Sequence, residues 1–585
     1  MKNRTSIPIG SYRQRPSGWR WRAPFVLGLF TLCFAALVAR AVDLQVLDNG
    51  FLAAQGEARF LRTEKISAHR GRITDRNGEP VAISTPVDTI WADPRQLVKV
   101  KDKLAVLARA LERDHQSLVR QIEKNADREF VYLSRHMRPA QAASVMQLEI
   151  PGVHVLREYR RYYPAGEVTA HLVGFTDIDD RGQEGMELAY DHWLAGTDGA
   201  KRVLKDRLGQ TVRDVESISR PKEGKDLALS IDLRVQYLAY RELLSAIRQH
   251  GGRSGSVVVL DIQTGEVLAI ANQPSYNPNN RSDAPVSSYR NRAVTDIYEP
   301  GSSIKPLVVA AALESGRFEP GTAVDTHPGF VRVGNKTISD RRDYGMTDVT
   351  GVVTKSSNVG MTHIALALEP EVLWSTLSRL GLGRLTSSGF PGESAGLLNH
   401  YQHWREINQA TLSYGYGLTV TTLQLAQAYA AIGSLGIRRP VVMTREQGVA
   451  EGERVLSAAT ASRLIDIMES VTGDEGTGSE ARVRGYRVAG KTGTARKSEP
   501  GGYSQHRYHA VFAGVAPAEQ PRVAIAIMID EPAGEAYHGG EVAAPVFAAV
   551  AAGALRILNV APDDIAPPAL ESTNPPITIQ ARTEP

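Results

Sequence analysis

The stretch YEPGSSIKP places a serine hydroxyl and a lysine amine three residues apart, at Ser302 and Lys305. Because a Pro-Gly pair precedes them and an apolar helical pattern follows, both side chains are predicted to lie on one face of a first helical turn. A serine becomes a nucleophile when a base takes its proton, and a lysine can be that base if burial and neighbouring positive charge lower its pKa. The predicted chemistry is acyl transfer through a serine ester.

A second polar segment, KSSNVG, carries Ser356 and Asn358 on a loop that leads into a helix. A serine there could relay a proton, and an asparagine could hold a substrate amide. Neither motif is specific by itself, because Ser-x-Asn recurs at Ser275 and Ser572, and Ser-x-x-Lys recurs at Ser219 in a polar linker. Each motif supports the predicted chemistry only in combination with the other motifs of the chain.

The third segment, GKTGTARK, lies on a predicted strand, and its Lys-Thr-Gly triplet occurs once in the chain. Lys491 and the hydroxyls of Thr492 and Thr494 could bind a carboxylate. Gly493 would let a substrate backbone approach closely. The three motifs in this order, on helix, loop and strand, form a specific signal.

The amino-terminal forty residues predict a membrane anchor. Residues 1–22 contain six basic side chains and no acidic one, and residues 23–39 are uncharged. A basic cluster before an apolar run favours a helix, predicted over 23–40, that spans the membrane with its amino terminus in the cytoplasm. A cleaved signal peptide that ends near Ala41 is the alternative interpretation.

Bulk composition limits what the rest of the chain can be. A chain of 585 residues is too long for one compact core, so two or more domains are expected. The formal charge of +4 comes from the amino-terminal cluster, which argues against binding of nucleic acid. Cys33 is the only cysteine, so no intrachain disulfide is expected. The histidine spacing predicts no metal site, and no cofactor is expected.

Pattern changes divide the remaining chain into three segments. Residues 41–224 mix strand, turn and helix signals, with helix predicted over 95–150, and are interpreted as a non-catalytic α+β module. Residues 225–560 combine helices with apolar strands, which predicts an α/β domain that carries all three motifs. Residues 561–585 are rich in proline and lack apolar periodicity, so a disordered tail is expected.

Together the three motifs resemble the signature set of penicillin-binding proteins and serine β-lactamases. The likeness extends over nearly the whole chain, through segments such as HRGRITDRNGEPVA, RRYYPAGEVTAHLVGFTD, SYGYGLTVT and GGEVAAPVF. The chain is identified as a member of the class B penicillin-binding proteins, most similar to the division-specific type 3 enzymes that cross-link septal peptidoglycan. This implies the penicillin-binding α/β sandwich, an antiparallel sheet flanked by helices, with an α+β pedestal (dimerisation-type) module and one transmembrane helix.

The resemblance also implies roles for the motif residues. Ser302 would be the acylated nucleophile and Lys305 its base, while Ser356, next to Asn358, would relay a proton to the leaving amine. The strand of the third motif would bind the D-Ala-D-Ala end of a stem peptide, and the backbone N–H groups of Ser302 and Thr494 would form the oxyanion hole. The other residues that the resemblance places at the substrate site are Lys491, Thr492, Gly493, Arg496, Tyr414, Tyr416, Tyr537 and His538.

Two positions depart from the pattern of that family. Thr492 stands where the division enzymes commonly have serine, which preserves a hydroxyl. His538 follows Tyr537 where those proteins have phenylalanine, so we hypothesise a changed aromatic wall and an altered β-lactam affinity or pH range. For Tyr414 and Tyr416, a structural place in the core is the alternative to a place in the groove.

The resemblance favours a D,D-transpeptidase that β-lactams acylate, and it leaves alternatives. A D,D-carboxypeptidase would differ only in its acceptor, water. A β-lactamase is disfavoured because the loop GESAGLLNH has Ala395 where a deacylating glutamate is needed. A β-lactam sensor or septum scaffold is disfavoured by three intact motifs. The implied partners are stem peptides, β-lactams, a polytopic glycan polymerase and other division-site membrane proteins, at a bacterial inner membrane with the catalytic domain in the periplasm.

Overall fold

The computed structural model describes residues 21–44, 61–205, 211–445, 449 and 451–564. Helix α1 (Arg22–Val42) is exposed along its length, and its length and apolar composition suit a membrane span. Most of the predicted cytoplasmic tail and of the carboxy-terminal tail lies outside the described residues. Among the first residues after position 560, Asp563 accepts hydrogen bonds from the backbone N–H groups of Arg487 and Glu519.

The module after α1, which we call the pedestal, is built on two sheets. Its strands are β1 (Leu61–Ile66), β2 (Ile73–Thr74), β3 (Pro80–Ala92), β4 (Val131–Met137), β5 (Val153–Tyr162), β6 (Gly199–Lys205), β7 (Thr211–Ser219) and β8 (Leu227–Ala228). Its helices are α2 (Pro94–Leu97), α3 (Leu104–Ala110), α4 (His115–Lys124), α5 (Pro139–Met146), α6 (Ala170–Val173), α7 (Gly185–Ala189) and α8 (Asp191–Leu194). One sheet has the order β1–β6–β7, and in the other β3 pairs with β2, β4 and β5.

The prediction of helix throughout residues 95–150 is wrong for β4. This strand pairs with β3 in antiparallel fashion, for example Trp91 with Tyr132. Its sequence VYLSRHM is only seven residues long and does not alternate apolar and polar residues. A strand this short, between two helical segments, gives no separate periodicity signal in the sequence.

A buried ionic cluster holds the pedestal together. The carboxylate of Glu187 on α7 is completely buried and binds two arginines, Arg70 at 2.7 Å and Arg161 at 2.6 Å. Arg70 also reaches Asp191 on α8 at 2.7 Å. Since Arg70 precedes β2, Arg161 lies on β5 and Glu187 lies on α7, three distant segments meet at one carboxylate.

The pedestal and the next domain share a joint at β8. This strand pairs in parallel with β2, although it follows the predicted domain boundary at residue 224. Two further contacts of Arg76, which follows β2, join the pedestal to the next domain. Its N–H donates to the carbonyl oxygen of Ile231, and its guanidinium binds Glu266 at 3.1 Å.

The carboxy-terminal domain contains the remaining elements. Its strands are β9 (Ser254–Asp261), β10 (Val267–Gln273), β11 (Ala323–Asp325), β12 (Phe330–Val333), β13 (Lys336–Ser339), β14 (Met346–Asp348), β15 (Ile437–Arg438), β16 (Glu453–Arg454), β17 (Ala489–Glu499), β18 (Gly502–Ala516) and β19 (Val523–Asp530). Its helices are α9 (Leu233–Gln249), α10 (Arg292–Thr295), α11 (Lys305–Glu314), α12 (Val349–Thr354), α13 (Asn358–Leu366), α14 (Pro370–Arg379), α15 (Glu406–Leu412), α16 (Thr422–Gly433), α17 (Ala458–Thr472), α18 (Gly539–Val542) and α19 (Ala544–Ile557).

The main sheet of this domain is antiparallel, with the order β10–β9–β19–β18–β17. Alternate residues of β9 face opposite sides: Val257 and Val259 join the core with α9 and α19, whereas Val258 and Leu260 join the core with α11, α16 and α17. Because both faces are covered, the central strands have continuous apolar sequences. Helices α18 and α19 together could also pass as a membrane span, but half of that segment is buried in the domain. Strand β17 lies at the sheet edge, so one side of its backbone is available for pairing.

We expect Glu187→Gln to destabilise the protein, because it leaves two buried guanidinium groups without their shared counter-charge. Removing one partner of a buried ion pair costs about 3–5 kcal/mol. The matched control is Asp226→Asn at the Arg72–Asp226 pair, which is more than half exposed on both side chains and is expected to cost at most about 1 kcal/mol. The free energy of unfolding, from urea titration of the full chain in detergent, distinguishes the two; equal costs would contradict this account.

Candidate active site

Ser302 lies on a short 3-10 turn, Gly301–Ile304, that leads directly into helix α11. Gly301 has a φ of +55°, and a Cβ on it would lie 3.0 Å from the carbonyl oxygen of Thr494. Glycine is therefore required by the backbone conformation and by the approach of β17. Nine of the ten residues of α11 are buried, so the half-buried Ser302 stands at the mouth of a buried helix.

Lys305 is completely buried, and its Nζ contacts the second motif. It donates to the carbonyl oxygen of Ser356 at 2.6 Å and to the Oδ1 of Asn358 at 2.9 Å, and it lies 3.2 Å from the Oγ of Ser356. Within the described residues, no hydrogen bond joins this nitrogen to Ser302 Oγ. The second motif therefore fixes the amine, one helical turn from the nucleophile.

Ser356 adopts a backbone conformation that is unusual for a residue with a side chain. Its φ is +59°, in the left-handed region, which costs about 1–3 kcal/mol outside glycine. This conformation lets the carbonyl oxygen and the hydroxyl of one residue face the same lysine. The strain is localised at the junction of α12 and α13, where the predicted proton relay lies.

Asp340 is a site residue that no sequence motif indicated. Its carboxylate accepts hydrogen bonds from the backbone N–H groups of Asn358 and Val359 and from the hydroxyl of Ser357. These N–H groups are the unpaired donors at the start of α13, where a negative charge is stabilised. No local spacing could reveal Asp340, because it lies 18 residues before Asn358, directly after β13.

Lys491 on β17 is the second completely buried lysine of the site. Its Nζ donates to Thr492 Oγ1 at 3.1 Å and to Thr477 Oγ1 at 3.4 Å. The two threonine hydroxyls are themselves 2.7 Å apart. Thr477 follows α17 and was also missed from the sequence, because it meets the third motif only in the folded chain.

Gly493 lies against the backbone that precedes the nucleophile turn. A Cβ on Gly493 would lie 2.5 Å from the carbonyl oxygen of Pro300, which precedes the nucleophile turn. The packing of β17 on the nucleophile turn therefore requires glycine at this position. Its neighbour Thr494 is half-buried, and its Oγ1 accepts a hydrogen bond from the N–H of Gly539 at 3.0 Å.

Burial and positive charge lower the pKa values of both lysines. Burial, and after it the positive charge of Arg341, lowers the pKa of Lys491 to about 7. Burial, and after it the charge of Lys491, lowers the pKa of Lys305 well below its ordinary value, whereas the Asp340 carboxylate opposes this shift. A lowered pKa increases the neutral fraction of a lysine near neutral pH, and the neutral amine can accept a proton. These are the two causes that the sequence analysis required of a base.

Tyr414 and Tyr416 belong to a loop that packs on the nucleophile turn. A Cβ on the intervening Gly415 would lie 2.0 Å from the carbonyl oxygen of Gly301. The two half-buried rings meet edge to face, with centroids 5.9 Å apart. The Oη of Tyr416 accepts a hydrogen bond at 3.2 Å from the backbone N–H of Arg496, whose side chain is exposed. The loop thus joins the nucleophile turn to the edge strand.

Tyr537 and His538 precede α18 and form a short aromatic row. Tyr537 stacks on Tyr508 with centroids 4.4 Å apart, and the His538 ring lies 4.2 Å from Tyr537. The Nη2 of Arg341 lies 3.2 Å from Nδ1 and 3.1 Å from Nε2 of His538. Burial, and after it the charge of Arg341, lowers the pKa of His538, so its imidazole is neutral at neutral pH.

The sequence matches two known families. Residues 255–552 match the penicillin-binding protein transpeptidase domain, and residues 65–229 match the penicillin-binding protein dimerisation domain. The chain is 45% identical over 548 residues to the peptidoglycan D,D-transpeptidase FtsI of Escherichia coli K12, with 93% of each chain covered. It is 42% identical over 545 residues to the probable peptidoglycan D,D-transpeptidase PbpC of Pseudomonas aeruginosa, with 93% of this chain and 96% of that protein covered.

Solved structures agree with these matches. Penicillin-binding protein 3 of Mycobacterium tuberculosis, in complex with aztreonam, superposes with a TM-score of 0.66 at 29% identity over 89% of this chain and 100% of that one. The transpeptidase domain of penicillin-binding protein 3 of Burkholderia pseudomallei gives a TM-score of 0.53 at 42% identity over 57% of this chain and 97% of that one. The chain belongs to the class B penicillin-binding proteins, which confirms the predicted family and fold class.

We expect Asp340→Asn to slow acylation by a penicillin about ten- to a hundredfold, since charge-assisted hydrogen bonds worth about 1.5–3 kcal/mol are lost at the start of α13. The acid limb of the rate should also move to lower pH. The sign follows because the Asp340 charge raises the pKa of Lys305, so its removal keeps the amine neutral further into acid. Acylation rates measured across a pH series test both effects.

Lys491→Met is the matched opposite change for the pH readout. The positive charge of Lys491 lowers the pKa of Lys305, so its removal should move the acid limb to higher pH. A shift of both variants in the same direction would show that the limb does not report Lys305.

Proposed function

We propose that this chain is a peptidoglycan D,D-transpeptidase of cell division, which cross-links stem peptides of the septal wall through an ester on Ser302. The observation that carries the proposal is the buried amine of Lys305, which has a lowered pKa and is held by Ser356 and Asn358 one helical turn from Ser302. Keeping a lysine buried without a counter-charge is costly, and a serine nucleophile is the chemistry that uses it. The names of the relatives, peptidoglycan D,D-transpeptidase, support the same activity.

In the acylation step, the lone pair of Lys305 Nζ takes the proton of Ser302 Oγ while this oxygen attacks the carbonyl carbon of the penultimate D-alanine. The carbonyl oxygen becomes an oxyanion, for which the backbone N–H groups of Ser302 and Thr494 are the proposed donors. When the C–N bond breaks, the leaving amine of the terminal D-alanine takes a proton that passes from Lys305 through Ser356 Oγ, 3.2 Å away. The products are the acyl ester on Ser302 and free D-alanine.

In the transfer step, the amine of a second stem peptide attacks the ester carbonyl and gives up a proton through the reverse path. The bond between the acyl carbon and Ser302 Oγ breaks, and the serine oxygen takes back a proton from Lys305. A neutral amine has two N–H donors and one lone pair, so Lys305 can hold two oxygens of the second motif and still exchange this proton. The peptide bond that forms is the cross-link.

Strand β17 is the proposed binding strand for the stem peptide. An extended peptide can pair with the backbone of an edge strand. Lys491, with the hydroxyls of Thr492 and Thr494, is proposed to receive the terminal carboxylate; the Lys491 amine lies 3.1 Å from Thr492 Oγ1. The N–H of Arg496 already donates to Tyr416, so the pairing would end before that residue.

The competing hydrolase functions differ in the group that takes the acyl unit. A β-lactamase needs a carboxylate that activates water. Glu393, in the loop nearest to such a motif, accepts hydrogen bonds from the backbone and hydroxyl of Thr386 and from the hydroxyl of Ser388, so it is occupied within its own loop. A β-lactam ester on Ser302 should therefore persist. A carboxypeptidase uses the same residues with water as the acceptor.

We also propose the membrane arrangement and the partners. Helix α1 would be a single uncleaved anchor, with the basic residues 1–22 in the cytoplasm and the catalytic domain in the periplasm. The anchor and the pedestal are the surfaces proposed to meet a polytopic glycan polymerase and other division-site membrane proteins. The pedestal and the domain after it share the β2–β8 pair, so binding at the pedestal would act on a structure continuous with the catalytic domain.

We expect a fluorescent penicillin to label the full chain in membranes, and Ser302→Ala to abolish the labelling. The matched control is Ser219→Ala, which removes the serine of the other Ser-x-x-Lys sequence and should label like the wild type. A labelled Ser302→Ala protein, or an unlabelled wild type, would overturn the assignment of the nucleophile.

The acceptor is tested with a pentapeptide donor and a second stem peptide that bears a free amine. We expect cross-linked product to exceed hydrolysed tetrapeptide, since the proposed function is transfer. Free D-alanine with hydrolysed product alone would make the chain a carboxypeptidase. The ratio of the two products, separated by liquid chromatography, is the measurement.

A further inference from the structure

A cavity of about 350 Å³ lies between the pedestal and the domain after it, and this volume is within the range of small-molecule sites. The pedestal lines it with residues of β4, β5 and the segment between α6 and α7, and the second domain with residues 278–282. The Asn279 side chain accepts from the N–H of Tyr163 at 3.0 Å and donates to its carbonyl oxygen at 2.9 Å. Both domains therefore hold the cavity in shape. In the described part of the chain, no residue of the three motifs lines it.

Arg161 offers this cavity an unpaired hydrogen-bond donor. Its side chain is only 1% exposed, and its Nε donates to Glu187 at 2.6 Å and its Nη1 to Ser84 Oγ at 3.1 Å. Its Nη2 has no hydrogen-bond partner among the residues that the structure describes. Because two of its nitrogens face Glu187 and Ser84 and the residue lines the cavity, Nη2 is the group left for an occupant.

Asp180 offers the same cavity an unpaired acceptor. Its backbone is fixed with a φ of +62°, and its carbonyl oxygen accepts from Nη1 of Arg70 at 3.0 Å. The Oδ1 of its carboxylate is buried and has no hydrogen-bond partner within the described ranges. Burial raises the pKa of Asp180 to about 6, although the charges of Arg70 and Arg161 oppose this shift. The carboxylate is therefore mainly ionised at neutral pH.

The charges around the cavity balance. The ionic cluster behind it contains two arginines and two carboxylates. The cavity wall adds two more of each sign, Arg160, Arg281, Asp177 and Asp180. The Nε2 of His136 is a third buried polar atom of this wall without a partner in the described chain. Burial lowers the pKa of His136, so the ring adds no charge at neutral pH. An occupant with a net charge would disturb this balance.

We propose that this cavity binds a small α-amino acid as its zwitterion, with the carboxylate on Arg161 Nη2 and the ammonium group on Asp180 Oδ1. Such a molecule supplies an acceptor and a donor at once, each in a charge-assisted hydrogen bond, and it adds no net charge. D-Alanine belongs to this class and is released by the proposed reaction, so the site would bind a product outside the active site. Only this last step rests on the proposed function.

The test measures binding of D-alanine to the full chain in detergent by saturation-transfer nuclear magnetic resonance. The protein is used unreacted and after acylation of Ser302 by benzylpenicillin, which blocks the active site. We expect saturable binding in both forms. D-Alaninamide lacks the carboxylate and N-acetyl-D-alanine lacks the ammonium group, so each should bind at least about tenfold more weakly, which corresponds to about 1.4 kcal/mol.

Asp180→Asn removes the charge and keeps the shape of the side chain, and asparagine tolerates the left-handed backbone of this position. It should weaken D-alanine binding about tenfold and leave the weaker binding of N-acetyl-D-alanine unchanged, because that compound has no ammonium group to lose. A merely structural effect would weaken both. The matched control is Asp179→Asn, which removes the neighbouring exposed carboxylate that pairs with Arg135 at 2.8 Å and should bind like the wild type.

Three results would overturn the inference: no saturable binding of D-alanine, binding that acylation of Ser302 abolishes, or equal losses in Asp180→Asn and Asp179→Asn. Each would leave the proposed function intact, because labelling of Ser302 by benzylpenicillin does not require the cavity. Failure of the wild type to react with benzylpenicillin would overturn the proposed function instead. Binding to the unreacted protein that depends on Asp180 would still support the site.

Discussion

The structure of the site depends on one costly group, the amine of Lys305 buried at the start of α11. Burial disfavours the charged form of this amine and lowers its pKa well below the usual value, and oxygens of the second motif supply the hydrogen bonds that water would have made. Meeting this demand requires the left-handed backbone of Ser356. It also requires a fixed start of α13, which the carboxylate of Asp340 provides. The strained residue and the aspartate are consequences of the buried base.

Backbone contacts, more than side chains, bring the first motif, the third motif and the tyrosine loop together. The nucleophile turn, the β17 strand and the tyrosine loop touch at Gly301, Gly493 and Gly415, where any Cβ would meet a carbonyl oxygen at 2.0–3.0 Å. Such close backbone contact places two buried lysines near enough for one charge to shift the other. A side chain at any of these glycines would push these segments apart, although none of the glycines is itself a reacting group.

The sequence was sufficient for features that depend on neighbours along the chain. The Ser302–Lys305 spacing and the loop before α13 are local, and each lies on the expected element. Asp340, Thr477 and the contact between Tyr416 and Arg496 join elements far apart in the chain, so no spacing rule could find them. The contact of Gly493 with Pro300 also joins distant segments, so the sequence did not indicate it.

The electrostatics of the site also explain how an anionic substrate can bind without disabling the base. A carboxylate placed beside Lys305 would raise its pKa and favour the protonated, inactive form. Lys491, with a pKa of about 7, would take up a proton as a substrate carboxylate arrives, because that charge raises its own pKa. The resulting pair is neutral overall, so the field at Lys305 changes little. The two lysines thus have different roles. Lys491 neutralises the charge of the substrate carboxylate, and Lys305 remains able to accept the proton of the nucleophile.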